Sequence, residues 1–127
     1  MRDAQMAVRA LGRDAFTLRA DLADAEACVG LAQAVQERWD RLDLLVNNAS
    51  MFEPLAFEDI TVEAWEHMLA VNLRAPFLLS QRLLPLLRRS NDALVVHLCD
   101  IGADRPVRGY AHYSVSKAGL VMLVKAM

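Results

Sequence analysis

Tyr113 and Lys117 stand four residues apart in "YSVSK", and Asp100 closes the apolar run "ALVVHLCD" thirteen residues before the tyrosine. On a helix, positions i and i+4 share one face. A lysine ammonium beside a phenol favours the phenolate and lowers a pKa that starts near ~10. The tyrosine would then donate or accept a proton around neutral pH. The same spacing also fits an ordinary surface pair, and Asp100 alone also fits a strand-end turn.

A second arrangement involves a missing donor. Pro76 falls inside the helical run 61–90 and has no N–H, so the Asn72 carbonyl four residues back loses its usual partner. A carbonyl freed in this way can hold a water; a kink without further role is the alternative. Other motifs are weaker. Ser114-Val115-Ser116-Lys117 fits S-x-x-K, but S-D-N and K-T-G are both absent, so it reads as a chance match. G-x-S-x-G and G-x-G-x-x-G are absent as well.

These residues need elements to position them. Segments 15–22, 42–49 and 93–100 are near-continuously apolar at their centres, the pattern of strands buried on both faces in a parallel sheet. Helical patterns separate them. Asp24 is the expected N-cap of a helix over 23–40, with Val29, Ala32, Val35 and Trp39 on its apolar face. Thr61 caps the run 61–90, and a third helix starts between Tyr110 and Ser114. The order β-α-β-α-β-α predicts an α/β fold with a doubly wound parallel sheet of Rossmann type, a single domain over 1–127. "RDAQMAVRALG" reads as the tail of a helix stopped near Gly12, and "KAGLVMLVKAM" as an uncapped helix. The expectation is therefore part of a larger domain, without its first βαβ unit and its C-terminal part.

Strand ends in a parallel sheet lie along one edge, where ligands bind. The three runs end in Asp21, in Asn47-Asn48-Ala49-Ser50 and in Asp100. Polar endings on all three, followed by Tyr113 and Lys117, favour a site over three separate turns.

Composition narrows the classes. The chain has 127 residues, a formal charge of -2 and 55% hydrophobic residues. That balance argues against nucleic acid as a partner. No apolar run reaches the length of a membrane span, and the first residues lack a secretory signal, so a cytoplasmic protein is expected. Cys28 and Cys99 read as reduced, buried thiols. His97 and Cys99 could share a strand face, but further ligands are lacking, so no metal is expected.

"LDLLVNNAS", "VNLRAPF" and "YSVSKAGL" together resemble the short-chain dehydrogenase/reductase family, in order and spacing, over essentially the whole chain. The resemblance implies a Rossmann-type fold and hydride transfer with a nicotinamide cofactor. It places Asp21 and Leu22 beside the adenine ring and Asn48 and Ala49 along the cofactor, with Ser50 replacing the family's usual glycine. It assigns the Asn72 main-chain carbonyl to a water-mediated proton relay. Tyr113 would be the catalytic acid, and Lys117 would bind the nicotinamide ribose and depress the tyrosine's pKa. It also implies a homo-oligomer, often a tetramer, built through the helices over 61–88 and from 111 onward.

Asp100 stands where most of the family carries serine. A carboxylate there, "NNASMF", and the spacing of Pro106, Gly109, Tyr110, Tyr113 and Lys117 are similar to the pteridine reductase branch. That likeness implies a pteridine substrate held by Phe52, Asp100, Tyr110 and Tyr113, with Phe52 stacking on its ring, and NADPH as cofactor. An aspartate suits a ring that offers N–H donors better than a ketone oxygen that gathers negative charge. Two other readings stay open: a dehydrogenase of carbonyl or hydroxyl substrates, and a catalytically silent α/β unit.

Overall fold

The computed structural model describes residues 2–127. Helix α1 (Arg2–Ala10) is followed by Gly12 at a φ of 73°, a left-handed stop that glycine adopts without strain. Helix α2 (Ala25–Arg38) starts where expected, the Asp24 carboxylate accepting the Glu26 N–H at 2.9 Å. Strand β1 (Leu44–Asn47) pairs in parallel with β2 (Leu94–His97), Leu44 opposite Leu94 and Asn47 opposite His97. Between them the run from Thr61 is one continuous helical rod. It comprises α3 (Val62–Leu69), a π-helical turn (Ala70–Arg74) and α4 (Ala75–Leu87). The Thr61 hydroxyl caps it by accepting the Ala64 N–H at 3.2 Å. Helix α5 (Ala111–Ala126) closes the order.

The core lies between α2 and α4. Cys28 and Ala32 of α2 meet Ala75, Leu79, Leu83 and Leu86 of α4, and Leu45 of β1 packs against them. Cys28, not Val29, leads the buried stripe of α2, since Cys28 and Ala32 are one turn apart. Trp39 is the residue just past the helix and packs edge-on against Phe16, ring centroids 5.0 Å apart.

Three expectations are corrected. Segment 15–22 forms no strand: it is irregular and reaches a turn at Leu22, with Asp14 just before it paired to Arg38 and Phe16 packed on Trp39. A segment becomes a strand only through a ladder, and among the described residues β1 and β2 ladder with each other alone. The strands are not buried on both faces either. Leu44, Val46 and Leu94 are about half exposed, so among the described residues one face of the two-stranded sheet is left uncovered. Finally, Cys99 is exposed, because it lies past the end of β2, while Cys28 is buried; both are free thiols. Among the described residues no helix is long and apolar enough to cross a membrane. No cluster of three or more potential metal ligands occurs there.

Candidate active site

The π turn is the local consequence of Pro76. Ala75 donates its N–H to the Ala70 carbonyl, five residues back, because the helix widens just before a residue that has no N–H. Widening turns Asn72 into the interior, where it is fully buried. Its Oδ1 accepts the Met51 N–H at 2.8 Å and the Ser50 hydroxyl at 3.2 Å. Its Nδ2 donates to the Met51 carbonyl at 3.0 Å and to Ser116 Oγ at 3.0 Å. The Asn72 side chain thus grips the loop that follows β1 by both backbone polar groups of one residue, Met51.

Asp100 follows β2 and opens a short 3-10 turn (Ile101–Ala103), its Oδ1 accepting the Gly102 N–H at 2.6 Å. A Cβ placed on Gly102 would lie 2.8 Å from Asp100 Oδ1 and 3.6 Å from Tyr113 Cε1. The carboxylate and the buried phenol ring therefore converge on Gly102, where any Cβ would have to displace the carboxylate. Lys117, also buried, donates Nζ to the Leu98 carbonyl at 2.8 Å and sits 5.7 Å from the centre of the Tyr113 ring.

Electrostatics corrects the expected direction of tuning. Burial first, and then the charge and acceptor oxygens of Asp100, hold the Tyr113 phenol above its ordinary value. Lys117 is held below its own, burial outweighing the pull of Cys99 and Asp100. The phenol is therefore protonated at neutral pH. Lys117 spends a donor on a backbone carbonyl and reaches the ring, which leaves the nearby carboxylate and desolvation to dominate.

Phe52 is exposed and meets two tyrosines. It stacks on Tyr110 with centroids 4.4 Å apart and planes 11° apart, and stands edge-on to Tyr113 at 4.7 Å. The loops carrying Phe52 and Tyr110 continue into the walls of a cleft of about 640 Å³, lined by Leu55, Phe57, Pro106 and Val107 among others. Asn48, Ala49 and Ser50 are exposed along the rim after β1. Asp21 and Leu22 belong to another neighbourhood. Asp21 caps the Ala23 N–H at 2.9 Å, Leu22 packs on the α2–α4 core, and the Arg74 guanidinium holds the Ala23 carbonyl. So Asp100, Tyr110, Tyr113, Lys117 and Phe52 come together, Asn72 joins through Met51 and Ser50, and Asp21 with Leu22 does not.

Sequence reasoning missed Gly102 and Ser116. Nothing in the spacing marks Gly102, because its role is to leave space. Ser116 Oγ donates to the Tyr113 carbonyl at 2.6 Å while accepting from Asn72. Its only sequence signal is a position three residues after the tyrosine.

Residues 1–127 match the family described as short chain dehydrogenase. The chain is 32% identical over 119 residues to 2,5-dichloro-2,5-cyclohexadiene-1,4-diol dehydrogenase LinX of Sphingobium indicum, covering 94% of this chain and 48% of that protein. A short chain dehydrogenase from Burkholderia cenocepacia in complex with NADP superposes with a TM-score of 0.91 at 32% identity, over 98% of this chain and 51% of that one. Pseudomonas aeruginosa RhlG in an active-site complex with NADP gives 0.84 at 35% identity, over 98% and 50%. The chain spans about half the length of the relatives it matches.

Proposed function

Because this chain belongs to the short-chain dehydrogenase/reductase family, we propose that it carries the catalytic part of an NADPH-dependent reductase acting on a pteridine. The observation that carries the substrate class is a carboxylate, Asp100, set against a protonated phenol, Tyr113.

The residues present fit a nicotinamide cofactor. Asn48, Ala49 and Ser50 offer small, exposed side chains along the rim. Lys117 has three N–H donors and spends one on Leu98, leaving others for ribose hydroxyls. NADP in the two related structures supports the choice of NADPH. When bound, the cofactor supplies the hydride that reduces a ring carbon of the substrate.

The chain's own part is the proton and the pose. A phenol raised above its ordinary value is a donor at neutral pH, and Tyr113 gives its proton to the ring nitrogen that becomes an amine. Asp100 Oδ1 is engaged by Gly102, so Oδ2 is the oxygen left to accept a substrate N–H. A negative carboxylate there opposes an oxygen that is gaining charge, which disfavours a plain ketone and suits a ring carrying amino and imino hydrogens. The exposed face of Phe52, backed by Tyr110, offers a stacking surface of the order of ~1 kcal/mol. The Asn72 carbonyl is assigned to a water-mediated relay, and Asp21 and Leu22 to the adenine side.

A reductase or dehydrogenase of carbonyl and hydroxyl substrates is the second reading, favoured by the diol dehydrogenase named among the relatives. Self-association is also proposed, through the apolar groove between the α3–α4 rod and α5, lined by Leu69, Leu73, Phe77, Met122 and Leu123. An Asp100→Ser substitution separates the two substrate readings. Pteridine turnover lost with ketone turnover kept or raised supports the first; pteridine turnover kept in full refutes the role of Asp100.

A further inference from the structure

Ser116 lies outside the catalytic assignments above, yet it is the most deeply buried polar residue of α5, at 0% exposure. A helical serine often returns its hydroxyl proton to the carbonyl three residues back, and Ser116 does so to Tyr113 at 2.6 Å. That bond alone would be local. What sets Ser116 apart is its second partner: the same oxygen accepts Asn72 Nδ2 at 3.0 Å, from a different element.

The donor and acceptor inventory fixes the direction of the chain. Asn72 Oδ1 takes the Met51 N–H, so the amide cannot be reversed without setting two donors face to face. Its two protons then go to the Met51 carbonyl and to Ser116. Met68 Sδ, at 3.1 Å, is a weaker alternative acceptor. The Ser116 proton is left for Tyr113. One line of hydrogen bonds therefore runs from the loop that carries Phe52, through the π turn, to the backbone of the tyrosine.

We infer that Ser116 is a positioning residue, which sets the Tyr113 phenol against Asp100 and keeps the 50–52 loop at a fixed distance from it. Its catalytic meaning rests on the reading of Tyr113 as proton donor. The structural link can be measured without substrate.

The test is Ser116→Ala, which removes one oxygen from a helical site without adding bulk. Amide hydrogen exchange is followed at Met51 and at Leu83, a core position remote from the link. In a Tyr110→Phe background, where Tyr113 is the remaining tyrosine, the phenol is titrated by NMR. The expected result is exchange at Met51 faster by roughly tenfold, with Leu83 unchanged. The phenol, loosened from Asp100, titrates at lower pH than in the parent. Met51 exchanging no faster, Leu83 accelerating in step with it, or a phenol titrating where it does in the parent overturns the inference. If these shifts occur in a protein without reductase activity, the link stands and only the chemistry assigned to Tyr113 falls.

Discussion

Asp100 and Tyr113 face each other across the missing side chain of Gly102. The glycine donates its N–H to the carboxylate at 2.6 Å, and a Cβ at that position would come within 2.8 Å of the same oxygen. The glycine thus both holds the carboxylate and leaves it room.

Gly102→Ala is expected to push Asp100 off its amide and away from the phenol. Misplacing a reacting group by about an ångström costs on the order of 100-fold in rate. Steady-state kinetics should show a fall in kcat of roughly that size, while circular dichroism stays that of the parent.

Asp100→Asn reports the electrostatics. The carboxylate raises the Tyr113 pKa by opposing a second negative charge, so its neutralisation must lower it. Burial remains the leading cause, so the phenol stays above its ordinary value. NMR titration of Tyr113, or the basic limb of the pH–rate profile, should move to lower pH; no movement would mean that the two groups do not sense each other.

His97 makes the stability of the fold depend on pH. Its pKa is held below the ordinary value by burial, and its Nδ1 lies 3.4 Å from Asn47. A depressed pKa contributes stability that is present above about pH 6.5 and is lost as pH falls through the folded value. Urea unfolding should show a decline as the pH falls below about 6.5 that flattens in His97→Gln.

The two faces of the sheet predict opposite costs. Leu83→Ala opens a cavity between α2 and α4 and should cost about 2–5 kcal/mol of unfolding free energy. Leu44→Ala, on the uncovered face, should stay within about 0.5 kcal/mol. Chemical denaturation of both variants measures the contrast.

Helix starts were the most legible part of the sequence. Asp24 and Thr61 cap where their side-chain oxygens reach a free N–H, a local interaction. A disturbance of the helix at Pro76 was legible for the same reason, since a missing donor acts on its neighbours, but that it takes the form of a widened π turn was not. Segment 15–22 was not legible, because strand formation depends on a partner that the segment's own residues do not encode. The convergence of Asp100, Tyr113 and Lys117 was anticipated from strand ends and helix spacing. The sign of the tyrosine's shift was not, because it depends on which charge lies nearer and how deeply the phenol is buried. Gly102 and Ser116 act through space and through a distant amide, and neither leaves a pattern.

Oxidation of NADPH, followed by its absorbance with dihydrobiopterin as substrate and a ketone panel beside it, tests the central claim most directly. The account predicts turnover of the pteridine in preference to the ketones, reduced by about 100-fold or more in Tyr113→Phe. Turnover of ketones with none of the pteridine, or pteridine turnover indifferent to Tyr113→Phe, would contradict it.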